Sequence, residues 1–256
     1  MNAVCTMCRN ETPYINEWVN WHLSIGFDKI FIYNDDVVDP TTVISKSCLS
    51  RVEIIQVENG DSGSELHRRA RTINDFIQRH SADVEWCAFI DVDEFIHTNK
   101  PVGEWLAAAP ADVECVALKW HLYGDDGVID GDESKLVQTR FVKCIDDKFE
   151  KNGLYLNHMC KKVIKLKADI TADDMFIFRR NGEPISMYDS DYVTKWRCAV
   201  ILPTNAEHCC YINHYVTKSL KECLKYKCGD LWGIRLEDYY FMFNERTAEK
   251  EEYFKK

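Results

Sequence analysis

Nothing in the 256 residues approaches the ~18–20 consecutive apolar residues of a membrane-spanning helix, and residues 1–20 carry no leader-like pattern of basic then apolar residues. Basic charge is also in short supply. Lys and Arg number 32 against 42 Asp and Glu, a formal net charge of −10, which argues against non-specific nucleic-acid binding, because that needs a cationic face. Internal repeats, low-complexity tracts and obvious linkers are missing, and the segment after the first expected strand, CRNETP, has no glycine with which to cradle a phosphate. These absences lead to the expectation of a soluble, cytoplasmic chain folded as a single domain over residues 1–256, its halves meeting at residue 125.

Apolar residues are plentiful. At 46% hydrophobic and 12% aromatic the composition is that of a globular protein and excludes intrinsic disorder. The 12 cysteines have no module-like spacing, and several sit in apolar strand patterns such as WCAFI and ECVALKW. There a free thiol acts as a small hydrophobe, so a reduced chain is expected. Cys5-x-x-Cys8 is half of a zinc or redox motif, but no second CxxC or HxxxH completes it.

Residues 1–125 alternate between strand and helix patterns. Strands are expected at Asn2–Met7, Lys29–Tyr33, Val52–Val57, Trp86–Ile90 and Cys115–Trp120. A helix begins at Thr12-Pro13, with Thr12 as its cap and Gly26 as its stop; another runs from about Ser64, after the loop ENGDSGS, to Arg79. Shorter helices are expected near Pro40 and over Val102–Ala109. Residues 136–167 suggest one or two strands, including KKVIKLK. Thr217 or Ser219 would cap a helix ending near Lys227, and Leu236–Lys256 reads as helical and charged. Repeated βα units of this size imply an α/β fold, a mostly parallel sheet flanked by helices, with ligands beyond the carboxyl ends of the strands. Three polar clusters fall there: Arg9-Asn10-Glu11, Asn34-Asp35-Asp36 and Asp91-Val92-Asp93.

In an extended chain, Asp91 and Asp93 point the same way, and two carboxylates so close repel unless a cation sits between them. A hard divalent ion, Mn²⁺ or Mg²⁺, that also bridges substrate phosphates meets that requirement. The competing reading is a solvated acidic turn.

The sequence resembles GT-A-fold glycosyltransferases of the family 2 and DUF23 (family 92)-like group. The matching segments are CRNE with PYINEW, GFDKIFIYNDD, Asn74-Asp75 ahead of WCAFIDVDEFI, KWHLYGDDG, and INHYVTKSLKECLKYKCGD, covering most of residues 4–230. Two places depart from the family pattern. Asp125 and Asp126 stand where small or neutral residues are usual, and Asp173-Asp174-Met175-Phe176 stands where a histidine is usual. The resemblance implies a Rossmann-like GT-A domain that moves a sugar from a nucleotide-sugar, UDP-linked by expectation, to a hydroxyl of a glycan or glycolipid, with inversion. Arg9, Asn10, Glu11, Asp35 and Asp36 would hold the nucleoside, and an ionised Asp would accept from uracil N3–H or ribose hydroxyls. Asp91 and Asp93 would bind the cation, with His214 as a further ligand and Lys218 meeting the diphosphate. Trp120, Tyr123 and Gly124 would form the acceptor platform.

Each assignment has a plainer counterpart: Asx turns for Asp35 and Asp36, helix-dipole complement for Glu11, a structural histidine, a helix-surface lysine, and core packing for the aromatics. Arg68, Arg69 and Arg71 read mainly as a solvated helix face, with one of them in a position to reach a phosphate. The base that inversion requires is sought among Glu94, Asp126 and Asp191, with Asp189 and Asp238 also in view; Glu94 equally suits support of the metal pair. Two other functions compete. A nucleotidyltransferase is disfavoured by the missing glycine loop, and a non-catalytic sugar-binding descendant is disfavoured by the intact DVDEF. A peripheral position at the inner membrane face, near lipid-linked acceptors, fits the expected function.

Overall fold

The structure, a computed structural model, describes residues 1–36, 38–57, 65–197, 200–202, 208–227 and 233–255. The loop ENGDSGS, Cys198, and Cys228 with the end of the KCGD segment lie outside the described residues. The chain divides into two compact units, Met1–Trp120 with His158–Ile212, and His121–Asn157 with Asn213–Lys256. The sequence had put the only internal division at residue 125, whereas these units interleave. No helix among the described residues is long and apolar enough to cross a membrane.

The first unit is built on a sheet whose opening strands are β1 (Asn2–Cys8), β2 (Lys29–Asn34), β3 (Val52–Gln56) and β4 (Trp86–Phe89). They run parallel in the order β3-β2-β1-β4. Helices α1 (Thr12–Ser24) and α2 (Glu65–His80) make the crossovers. Tyr14, Ile15, Trp18, Val19 and Leu23 recur at helical spacing and are the buried face of α1. Thr12 is the first helical residue rather than the cap: Glu11 occupies the cap position and makes no side-chain cap bond. Gly26 turns the chain at φ +106°, and an added Cβ there would stand 3.3 Å from the Val102 amide nitrogen, so both backbone and space require glycine.

Beyond β4 come β5 (Glu94–Thr98), helix α3 (Val102–Ala107) and β6 (Cys115–Tyr123), then helices α4 (Val137–Arg140) and α5 (Asp146–Asn152). Strand β7 (Cys160–Lys165) inserts antiparallel between β4 and β6, which makes the sheet mixed while leaving it mostly parallel. A small antiparallel sheet follows, formed by β8 (Ile170–Ala172), β9 (Phe178–Arg180) and β10 (Glu183–Pro184). Strands β11 (Met187–Tyr188) and β12 (Lys195–Trp196) then extend the main sheet past β6. The α/β architecture is the one expected. All ten described cysteines are free thiols, Cys5 and Cys8 are buried, and burial pushes both thiols up.

The second unit holds α4 and α5, the ends of β6 and of β13 (Cys210–Tyr215), and helices α6 (Leu220–Tyr226), α7 (Leu236–Phe243) and α8 (Ala248–Phe254). Of the one or two strands expected over 136–167, β7 is present in the KKVIKLK segment, and helices α4 and α5 precede it. Each is one or two turns with a single buried apolar residue, too short to show a helical stripe. Ser219 is the cap of α6, in a reciprocal capping box with Glu222. The helical tail is two helices, because Asn244 leaves helical geometry and Thr247 starts α8 as its cap. Asp125 holds these helices: its carboxylate accepts from Lys250 at 2.5 Å and from the Tyr240 hydroxyl, and its amide donates to Asn244 at 2.7 Å. Both members of the Lys250–Asp125 pair are about 5% exposed. Breaking a buried pair leaves an uncompensated charge. Lys250→Met is therefore expected to destabilise the protein by about 3 kcal/mol, read as a lower denaturant midpoint at unchanged slope. An unchanged midpoint would show that the pair does not hold α8.

Candidate functional site

The register of the parallel strands brings the first two polar clusters side by side, since Cys8 at the end of β1 pairs with Asn34 at the end of β2. The backbone continues the pairing, with the Asp35 amide donating to Cys8 O at 2.9 Å. Asn10 sits at φ +58° and its amide donates to Asp36 Oδ2 at 3.1 Å, a bond between the two loops. The Asp35 carboxylate accepts from Arg68 at 3.1 Å and has Arg9 at 3.8 Å, with Arg9 itself largely exposed. Glu11 accepts the Tyr14 amide through its carbonyl.

Strand β4 stops at Phe89, opposite Cys5, so the chain beyond it runs on beside β1, and the Ile90 amide reaches Cys5 O at 3.3 Å. Asp91-Val92-Asp93 is then a tight turn closed by the Glu94 amide on Asp91 O at 3.1 Å. That corrects the extended geometry in which the two carboxylates would share a face. Asp93 is buried within the turn. The Asp91 carboxylate takes Arg69 on one oxygen and Lys161 on the other, the latter at 2.6 Å. Glu94 Oε2 accepts the Asp91 amide at 2.9 Å and lies 3.2 Å from Lys161 Nζ. The Lys161 side chain is 1% exposed and that of Glu94 is 0% exposed. Burial alone would raise the Asp91 pKa, but Arg69 and Lys161 hold it well below the carboxylate range. Burial likewise would lower Lys161, and Asp91 with Glu94 raises it instead. Trp120 and Phe176 present ring faces to the ammonium at 5.9 and 5.7 Å. Arg69, Asp91, Lys161, Cys5, Thr6 and Met7 are among the walls of an open cleft of about 300 Å³.

The first unit thus collects Arg9, Asn10, Glu11, Asp35, Asp36, Asp91, Asp93 and Glu94 from the sequence candidates. It adds Arg68, Arg69 and Lys161, two of which had been read as solvated helix face and the third only as part of a strand. Glu94 scaffolds the turn. Asp189 is consumed by three backbone amides, those of Asp191, Val193 and Thr194. Asp191 bonds His208 at 2.9 Å and the Cys209 amide. Burial would raise its pKa, yet those two bonds lower it, which makes it a weaker base. Trp120 is buried beside Lys161.

The second unit carries the remaining candidates. His214 lies buried on β13, and Lys218, also buried, sits at φ +57° just before the α6 cap, so it is not a helix-surface lysine. Tyr123 stacks on Tyr215 with ring centroids 4.9 Å apart. Gly124 is a close-approach glycine, since a Cβ there would meet Asn244 Oδ1 at 2.5 Å. Asp126, at φ +51°, accepts the Val142 and Lys143 amides, and Asp238 pairs with Arg235 on the exposed side of α7.

The sequence profile of glycosyltransferase family 92 matches residues 3–109. Over that stretch, the chain resembles family 92. A family 92 protein of Ricinus communis is 34% identical over 102 residues, which are 37% of this chain and 17% of that protein. One of Arabidopsis thaliana is 26% identical over 129 residues, 48% of this chain and 21% of that protein. The chain therefore spans about a fifth of the length of these curated relatives. S. aureus TarS 1–349, solved in complex with UDP-GlcNAc, is 21% identical at a TM-score of 0.36, covering 51% of this chain and 37% of that one. Both acidic clusters and the DVDEF turn fall inside the matched stretch; KWHLYGDDG and INHYVTKS fall beyond it.

Lys161→Met is expected to destabilise the protein by about 3 kcal/mol, because Asp91 and Glu94 lose a buried partner. The pH dependence has a definite sign. The depressed Asp91 pKa contributes stability that is complete above the ordinary carboxylate value near 4 and is lost as pH falls through the folded value. With one cation removed, the acid limb of an unfolding-against-pH curve should move to higher pH; an unmoved limb would assign the depression to Arg69 alone.

Proposed function

We propose that this chain carries the donor-binding core of a glycosyltransferase, moving a sugar from a nucleotide-sugar, UDP-linked, to a hydroxyl of a glycan or glycolipid with inversion. The observation that carries the reading is the coincidence of the family 92-like stretch with paired acidic and basic side chains at the carboxyl ends of β1, β2 and β4, where parallel sheets bind ligands. Asp35, steadied by Arg68 and Arg9, would accept hydrogen bonds from the nucleoside, with Asn10, Glu11 and Asp36 shaping that loop. Arg69 and Lys161 would turn toward the diphosphate, releasing Asp91 oxygens that they occupy here for the cation.

The donor set suits a hard cation: two carboxylates in one turn, completed by phosphate oxygens, is how Mg²⁺ and Mn²⁺ are ordinarily held. Asp93 and Asp91 would hold it, and the ion would stabilise the departing diphosphate as a Lewis acid; His214 and Lys218, in the second unit, stay candidates from the sequence pattern alone. Glu94 keeps the turn in shape beneath Asp91 and Asp93. Trp120, Tyr123 and Gly124 remain the proposed acceptor side, and Asp126 and Asp191 the carboxylates to vary in a search for the base.

The reading is tested by thermal melting with UDP, GDP or CMP in Mn²⁺ or in EDTA. A nucleotide at 100-fold its dissociation constant adds about 2.7 kcal/mol, roughly 5–10 °C for a chain of this size. A UDP shift that needs Mn²⁺ and is lost in Asp93→Asn supports the proposal. A shift confined to GDP or CMP overturns the donor, and no shift with any nucleotide overturns the transferase reading.

A further inference from the structure

We propose that His121, Cys144 and Asp146, in the second unit, form a binding site for a divalent cation of borderline softness, Zn²⁺ above all. One donor atom from each residue lies within 4.8 Å of the other two. The backbone fixes this grouping. Tyr123 and Cys144 form an antiparallel bridge, and the Ile145 amide donates to Leu122 O at 2.8 Å. The Leu122 amide donates to Asp146 Oδ1 at 2.9 Å, while Asp146 Oδ2 lies 2.8 Å from His121 Nδ1. The end of β6 and the start of α5 are therefore laced together around the three side chains. Cys144 differs from the other described cysteines in being exposed as a residue, although partial burial of its thiol pushes it up to about 11.

The donor chemistry selects the metal. An imidazole nitrogen, a thiol sulfur and a carboxylate oxygen make a set that Zn²⁺ accepts, three protein ligands leaving a fourth position for water, whereas Mg²⁺ and Mn²⁺ favour oxygen alone. Bond lengths of about 2.0–2.3 Å place the donors about 3.3–3.8 Å apart around the ion, so binding would replace the 2.8 Å His121–Asp146 hydrogen bond with two metal bonds and draw the more distant donor inward. Binding releases the Cys144 proton to solvent as the thiol becomes a thiolate. Nothing in this argument depends on the Asp91–Asp93 turn.

Cobalt reports the site directly, because Co²⁺ bound to a thiolate absorbs by sulfur-to-metal charge transfer and Co²⁺ bound to oxygen ligands does not. Chelator-treated full chain titrated with Co²⁺ should develop that absorption at one equivalent and lose it on addition of Zn²⁺. Cys144→Ser should abolish the band, His121→Ala should weaken binding at least tenfold, and Asp93→Asn should leave the band intact, which separates this site from the proposed donor site. Absence of the band in the unaltered chain, or its persistence in Cys144→Ser, overturns the proposal. Equal melting temperatures of the unaltered chain and Cys144→Ser in chelator confirm that the variant is folded.

Discussion

A lysine ammonium buried between two carboxylates is the constraint around which the first unit is arranged. Lys161 reaches Asp91 and Glu94 only because β7 lies antiparallel beside β4, pairing Lys162 with Phe89 and so setting Lys161 level with the residues that follow the strand. Without that cation, three carboxylates would crowd a four-residue turn, and their repulsion would open it. With it, the turn closes, the Asp91 amide is held by Glu94, and the Trp18 indole on α1 donates to the Glu94 carbonyl at 2.9 Å. The same lysine pair shows how the sheet is covered. Adjacent residues on a strand point to opposite faces, and Lys162, buried like Lys161, meets the sulfurs of Cys160 and Met187 on its own side. Both faces are interior.

That arrangement marks the limit of what the chain shows before folding. The β1-α1-β2 order, strands β3, β4, β6 and β7 and the polar clusters at the ends of β1, β2 and β4 are local patterns, carried by period-2 and period-3.6 spacing, and they are legible residue by residue, whereas β5 and the short strands β8–β12 are not. Lys161 and Arg69 are not, because their partners are 70 and 22 residues away and the pairing arises from strand order. A signal existed in the Lys161-Lys162 pair: two lysines opening an apolar strand in a sheet covered on both faces each need a buried partner. The turn at Asp91–Asp93 escaped for another reason, since three residues after an apolar strand fit an extended tail and a tight turn equally well.

The aromatic and acidic residues of KWHLYGDDG show a different ambiguity. Trp120, Tyr123 and Gly124 have the chemistry of a sugar platform, and the same atoms serve packing: Trp120 beside a buried ammonium, Tyr123 on Tyr215, Gly124 against Asn244. Asp125 and Asp126, the departures from the family pattern, are explained by anchoring. One is the buried counter-ion of Lys250; the other receives two backbone amides. A carboxylate spent in this way is strongly committed to structure, which narrows the field for any catalytic base.

The acidic balance of the chain sharpens the proposed donor site. With a net charge of −10, the protein as a whole repels a diphosphate, and screening over about 8 Å in physiological salt leaves the local charges to decide. At the strand ends those charges are Arg9, Arg68, Arg69 and Lys161, each held against a carboxylate of Asp35, Asp91 or Glu94. Pairing fixes the long cationic side chains, so an incoming phosphate need not supply the entropy of ordering them. In the proposed reaction a divalent ion held by the turn would supply further positive charge toward the diphosphate. In this arrangement the carboxylates of the turn act first as holders of protein cations and, in the proposed reaction, as partners of the metal; Asp93, buried in the turn beside Asp91, is the residue on which the second role turns.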